Sequence, residues 1–204
     1  MSVIEMSVTL GILSLVLVIL LTFLNQVMAV TVRSENDSLL ERNGQLALRT
    51  VTEDLRGMSQ TTLTQCPPSG QPSWPTSLDN CATFRVYHDN SNVTTCPYSV
   101  ITYALYQGAL MEQRQDYALV SGACSSTPTT STRTVLTSVA NSSAQPLFTY
   151  YDNTGASIST SSPPAGGVGG SVHSISVWLA VTYTGGSSQV SLKSIAALRN
   201  ADTR

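Results

Sequence analysis

Charge is scarce in this chain. Only 11% of its 204 residues are Asp, Glu, Lys or Arg, against about 25% in an ordinary soluble protein, and Lys193 is the sole lysine. With a formal net charge of −2, the protein lacks a basic surface to hold a phosphate backbone, so direct nucleic-acid binding is not expected. Scarce charge does not imply disorder, because 42% of the residues are hydrophobic and can build a core. Catalytic signatures are missing too. No Cys-x-x-Cys pair occurs, so a zinc ribbon or thioredoxin-type motif has no support. G-x-S-x-G, H-E-x-x-H and P-loop patterns do not occur, and His88 and His173 lack ligand spacing. The glycine-rich run Gly166–Gly170 sits in a Pro/Ser loop with no strand before it. Asp152-Asn153-Thr154-Gly155 lacks the further acids of a full calcium loop and reads as a turn. No enzyme, cofactor or metal centre is expected.

Polarity comes from hydroxyls instead. Ser and Thr supply 54 residues, a composition common in extracellular proteins. Apolar residues collect at the N-terminus. No charged side chain occurs from Met6 to Val32, and Met6 to Leu24 reads MSVTLGILSLVLVILLTFL. A bilayer core of about 30 Å needs roughly 20 apolar residues in a helix, so this run can span a membrane. It does not read as a cleaved secretory signal: the first charge is the acid Glu5, no Lys or Arg precedes the run, and the run is too long.

No proline interrupts Met1 to Gln60, so nothing there breaks a helix. Leu40, Gly44, Leu48, Val51, Leu55 and Met58 step by threes and fours, a helical stripe. Polar and charged residues such as Glu41, Arg49 and Glu53 occupy the remaining surface, with Arg49 and Glu53 spaced for an ion pair. One helix over about residues 1–58 is therefore expected, apolar all round over 1–30 and amphipathic over 31–60. Its length of roughly 85 Å has no place inside a soluble globule. It must extend into a membrane or a neighbouring molecule.

Prolines at 67, 68, 72 and 75 follow the helix, and beyond them the apolar period becomes two. Residues 61–204 are expected to form a β-rich head. Thr83–Tyr87, Ser99–Tyr106 and Leu110–Gln115 read as strands, the last two joined by a turn at Gln107-Gly108. Thr134–Val139 fits a strand or a short helix. Leu147–Tyr151, Ser174–Tyr183 and Gln189–Leu198 are further strands, and Ser157–Ser171 is a loop. The fold class is α+β: one long N-terminal helix laid against an antiparallel sheet. Sequons at Asn36, Asn92 and Asn141 mark positions open to glycosylation in a host with the machinery.

The four cysteines, Cys66, Cys81, Cys96 and Cys124, lie in the front half of the head. An even number there suggests two disulfides made in an oxidising compartment. Three pairings are open. Cys66–Cys81 with Cys96–Cys124 is favoured, because each bond closes a proline-rich or loop-rich excursion.

The start MSVIEM, with a lone Glu5 ahead of about 20 apolar residues and a continuing amphipathic helix, resembles a mature type IV pilin. An acid inside a membrane-length run is rare, since a charge at mid-bilayer costs about 2.5–3.5 kcal/mol even on lenient scales. The resemblance covers roughly the first 55 residues. The close Ile195-Ala-Ala-Leu-Arg-Asn200 resembles, more loosely, minor pilins and pseudopilins of the J or W type. Two departures stand out: Thr22 occupies a position where many type IV pilins have proline, and no cysteine follows Cys124.

The resemblance implies a structural subunit of a type IV pilus, a homopolymer at the cell surface. Its alternative is a minor pilin or a secretion or competence pseudopilin that initiates or tips a filament. Met1 would be the residue exposed and N-methylated by a prepilin peptidase. The helix would sit once through the cytoplasmic membrane until an assembly ATPase and platform moved the subunit into the filament. There Leu10, Leu13, Leu17, Leu20 and Leu24 would pack in the filament core, while Leu40, Leu48, Val51 and Leu55 hold the helix to the head. Glu5 would neutralise the α-amine of Met1 on an adjacent subunit and so set the register.

Overall fold

The computed structural model describes residues 2–58, 74–75, 77–87, 95–142, 144–160, 172–182 and 189–198. The chain divides into two units, Met1–Leu39 and Leu40–Arg204. One helix, α1 (Val3–Gly57, 55 residues), contributes to both. It has an acid, Glu5, in its first turn and a base, Arg56, in its last, the charge order that suits a helix dipole.

The first unit is helical and carries no core. From Val3 to Glu35 every residue is exposed. The hydroxyls of its uncharged run, Met6 to Val32, are internally satisfied. Ser7, Thr9, Ser14, Thr22 and Thr31 each donate to a carbonyl three or four residues back, at 2.8–3.0 Å. Such back-bonding leaves no orphan donor on an apolar surface.

The second unit is a two-sheet β head with the last turns of α1 packed in it. The first sheet holds β1 (Cys81–Tyr87), β2 (Thr95–Tyr106), β3 (Ala109–Val120), β4 (Ala123–Cys124) and β5 (Thr129–Leu136). Its order is β1-β2-β3-β4, with β5 also paired to β3. The second holds β6 (Phe148–Tyr151), β7 (Ser157–Ile158), β8 (Ser174–Thr182) and β9 (Gln189–Ala197) in the order β7-β6-β8-β9. All of these pairings are antiparallel.

The structure has the expected α+β class, one long helix with antiparallel strands, and divides those strands between two sheets. Alternation reveals strands, but not which strands share a sheet, since pairing is a long-range property. Of the segment Thr134–Val139, Thr134–Leu136 is strand, the end of a strand that starts earlier, at Thr129, and Val139 makes an isolated bridge. The expected loop from Ser157 begins instead as β7, which pairs with β6; Ile158 packs on the core. Two residues are too few to show a period. The remainder of that loop, 161–171, lies outside the described residues.

A three-residue turn joins the sheets. Asn80 O accepts from Leu105 N at 2.9 Å, Asp79 O accepts from Phe148 N at 2.9 Å, and Leu78 O accepts from the Tyr150 hydroxyl at 2.9 Å. A second junction lies at Val139, which bridges to Val181 and donates to Gly108 O at 2.7 Å. Both sheets and the helix contribute to one apolar cluster that includes Phe84, Ile101, Leu110, Phe148, Ile175 and Leu179.

The hairpin between β2 and β3 turns at Gln107 (φ 49°) and Gly108 (φ +73°). Two left-handed residues in succession are what a two-residue hairpin with the right twist requires. Of the disulfides, Cys96–Cys124 ties the start of β2 to β4, with its Cα atoms 5.7 Å apart. Cys81 is also disulfide-bonded, while Cys66 lies outside the described residues.

Candidate assembly site

Glu5 sits one turn into α1 and is exposed. Its Oε2 accepts from Ser2 N at 2.9 Å. Ser2-Val3-Ile4-Glu5 is therefore a capping-box sequence in which the glutamate reaches back over the helix start. The S-x-x-E spacing at residues 2–5 is the signal of that cap in the sequence. Met1, the expected counter-charge, lies outside the described residues.

Leu10, Leu13, Leu17, Leu20 and Leu24 are 49–65% exposed. So much apolar surface is not stable against water, at roughly 25 cal/mol per Å², and demands lipid or other protein. Among the described residues α1 is the one helix long and apolar enough to cross a membrane. At Thr22 the helix continues unbroken, with Thr22 Oγ1 donating to Val18 O at 2.8 Å.

In the second unit, one stripe of the helix is buried: Gly44, Ala47, Leu48, Val51, Thr52 and Leu55, continued by Met58. Leu40 is partly buried against the same core. Thr52 places a hydroxyl in this stripe and satisfies it on Leu48 O at 2.6 Å. At Gly44 the helix comes so close to the second sheet that a Cβ would lie 2.5 Å from Leu192 Cδ1 and 3.5 Å from Val181 Cγ2. The exposed face carries Arg49–Glu53 at 2.7 Å, a solvent-screened pair that adds little to stability.

A polar cluster that sequence reading missed also joins helix and sheet. The Tyr103 hydroxyl lies 2.6 Å from Asp54 Oδ2 and 3.2 Å from Glu112 Oε2. Arg133 donates through Nε (2.9 Å) and Nη2 (2.6 Å) to the same Glu112 oxygen. Tyr103 and Glu112 are buried. Burial drives the Asp54 carboxyl above its usual range, against the opposing Tyr103 hydrogen bond, and also drives the Tyr103 hydroxyl upward. The hydrogen bond to Glu112 holds Arg133 above its usual value. These four residues come from α1, β2, β3 and β5, so no local spacing could have announced them.

Elsewhere the head offers little chemistry. Asp152 Oδ1 accepts from Thr154 N, Thr154 Oγ1 and Ala156 N at 2.7–2.9 Å, which holds its carboxyl below the usual range, the Thr154 hydroxyl bond contributing most. The segment is a turn closed by Gly155 at φ +82°. Among the described residues no His, Cys, Asp or Glu cluster is suited to a metal. The Asn141 amide is fully engaged: Nδ2 donates to Gln145 O and Trp178 O, and Oδ1 accepts from Ala180 N. That sequon is used to hold the edge of β8. Asn92 and His88 lie outside the described residues, and His173 is half-buried ahead of β8.

No protein-family model and no curated protein sequence matches the chain. Among solved structures, it is similar to a chain of the crystallised GspK-GspI-GspJ complex from the type 2 secretion system of enterotoxigenic Escherichia coli, at 15% identity with a TM-score of 0.43. The match covers 78% of this chain and 97% of that one.

Proposed function

We propose that this protein is a pilin-like subunit, held in the cytoplasmic membrane by the first half of α1 and drawn from there into a filament whose core is made of such helices. The observation that carries the reading is a single acid, Glu5, heading a helix that exposes every residue from Val3 to Glu35. A lipid bilayer and a bundle of like helices are the two environments that accept that surface, and a pilin occupies them in succession. The head contributes surface and rigidity, and no catalysis is assigned to it. A prepilin peptidase, an assembly ATPase and its membrane platform are the partners this reading requires.

Within such a filament, Glu5 has an exchange to make. In the isolated chain its carboxylate caps Ser2 N. In the filament it would turn to the α-amine of Met1 on the adjacent subunit. Enclosure by neighbouring helices makes an unmatched charge there cost about 3–5 kcal/mol, which favours the axial offset at which acid and amine meet. Glu5→Ala is therefore expected to be made, processed and anchored, yet to yield few or no filaments. The comparison is made on sheared surface fractions at equal pilin levels in the membrane. Normal filament yield with an unchanged helical rise would rule this mechanism out.

Of the two roles in a filament, the minor one, starting or tipping it, is the one we favour. The close Ile195-Ala-Ala-Leu-Arg-Asn200, which begins in β9, supports it through its resemblance to pilins and pseudopilins of the J or W type. Abundance decides between the roles. A minor subunit is scarce in sheared filaments, whereas a shaft pilin dominates them.

A further inference from the structure

We propose that Asp54, Tyr103, Glu112 and Arg133 form a proton-operated latch between the last turns of α1 and the five-stranded sheet, closed most tightly when Asp54 carries a proton. The geometry sets the problem. One phenolic proton faces two carboxylates, 2.6 Å away at Asp54 and 3.2 Å away at Glu112. A phenol donates once and accepts as well. With both acids ionised, Tyr103 serves Asp54 and leaves only a long contact to Glu112, whose charge is met by Arg133 at 2.6 Å and 2.9 Å. Asp54 then keeps a full charge beside a second acid, with one neutral donor.

A proton on Asp54 completes the chain of bonds. Asp54 donates to Tyr103 Oη, Tyr103 donates to Glu112 Oε2, and Arg133 donates to the same oxygen. Every member is satisfied, and the group of two acids and one guanidinium becomes neutral. Asp54 is the member that takes the proton because Glu112 is the one held by the guanidinium. The charged and titratable groups facing Asp54 are Tyr103 from β2, Glu112 and Arg114 from β3, and Arg133 from β5. Arg114 is itself engaged by Asp116 and Ser99. Burial and Glu112 push the Asp54 carboxyl up, while Tyr103, Arg114 and Arg133 oppose the rise.

The sign follows from linkage. A carboxyl whose folded-state pKa is raised contributes stability below its unfolded value, and that stability is lost as pH rises through the folded value. Asp54→Asn, which imitates the neutral acid, should therefore be more stable than the parent at neutral pH and equal to it in acid.

The test uses the full chain in detergent micelles, with thermal midpoints measured from pH 3 to pH 8. Asp54→Asn is expected to raise the midpoint by about 2–4 °C at pH 7, the gain vanishing below about pH 4. Hydrogen exchange across Leu40–Gly57 should slow in this variant at pH 7, which places the gain at the latch. In a Glu112→Gln background the repelling acid is gone while burial remains, so Asp54→Asn should raise the midpoint by less. A lower midpoint for Asp54→Asn at pH 7, a pH-independent difference, or an unchanged gain in the Glu112→Gln background would each overturn the latch. If Asp54→Asn does not fold, the latch is overturned as well, since the neutral form is the one said to close it.

Discussion

At the scale of single residues, Val51 is the most exacting position on α1. It is fully buried, and so is its neighbour on the stripe, Leu55. The nearest acid on the helix, Asp54, is already held up by burial, so the surroundings accept charge poorly. Val51→Asp is expected to cost several kcal/mol, a large part of the 5–15 kcal/mol that hold a domain together. Loss of a cooperative melting transition in the full-length, micelle-bound protein is the expected result. An unaltered melt would place this face of the helix outside the core. Gly44 is constrained differently. There an added Cβ would press on the tip of the Leu192 side chain, which would have to shift, so the glycine on the stripe is a contact point rather than a weak spot in the helix. Val51 and Gly44 were both visible in the sequence as members of one periodic row. Asp54, three residues beyond Val51, carries no such signal, because its meaning depends on Tyr103, Glu112 and Arg133, whose proximity arises only when three strands align.

At the scale of elements, helix and strands were legible to different degrees. A helix repeats every 3.6 residues whatever else the chain does, so α1 could be bounded within a few residues of Gly57. Strands showed their alternating cores but not their ends. β2 starts back at Thr95, across Cys96 and Pro97, and β3 runs on to Val120 through Tyr117–Val120, where apolar residues follow one another without alternating. The second sheet was invisible as a separate body, since nothing local says that β6 pairs with β8 rather than with β5. The hairpin turn was the exception, being encoded locally at Gln107-Gly108. It also invites improvement. Gln107 holds φ 49° with a side chain ill suited to that region, and its one observed bond, Nε2 to Tyr106 Oη at 3.1 Å, is exposed. Gln107→Asn is expected to stabilise the head by about 0.5–1 kcal/mol, read as a midpoint raised by about 2–3 °C. A lowered midpoint would show that the Gln107–Tyr106 contact outweighs the backbone preference.

At the scale of the molecule, covalent links concentrate on the five-stranded sheet. Cys96–Cys124 closes a loop whose ends are 28 residues apart, a constraint worth about 3–4 kcal/mol on the chain-entropy account. Cys81 is bonded as well, and with Cys66 as its partner the segment Cys66–Cys124 would be doubly tied. Reduction should make that segment the principal site of limited proteolysis, with β6 to β9 cut later. Fragment mapping by mass spectrometry, with and without reductant, checks this. Four free thiols in mature protein would contradict it.

The contact of Gly44 with Leu192 and Val181 has a bearing on biosynthesis. A ribosome releases α1 well before β9, so the buried stripe of the helix emerges long before the strands that cover it. Until then Leu48, Val51 and Leu55 have no finished core to enter, and pairings so distant along the chain close slowly. An N-terminus already lodged in lipid would keep the most aggregation-prone part of the nascent chain out of water during that delay. The membrane run would thus shelter the polypeptide in time as well as hold it in place, and maturation of the head would await β9.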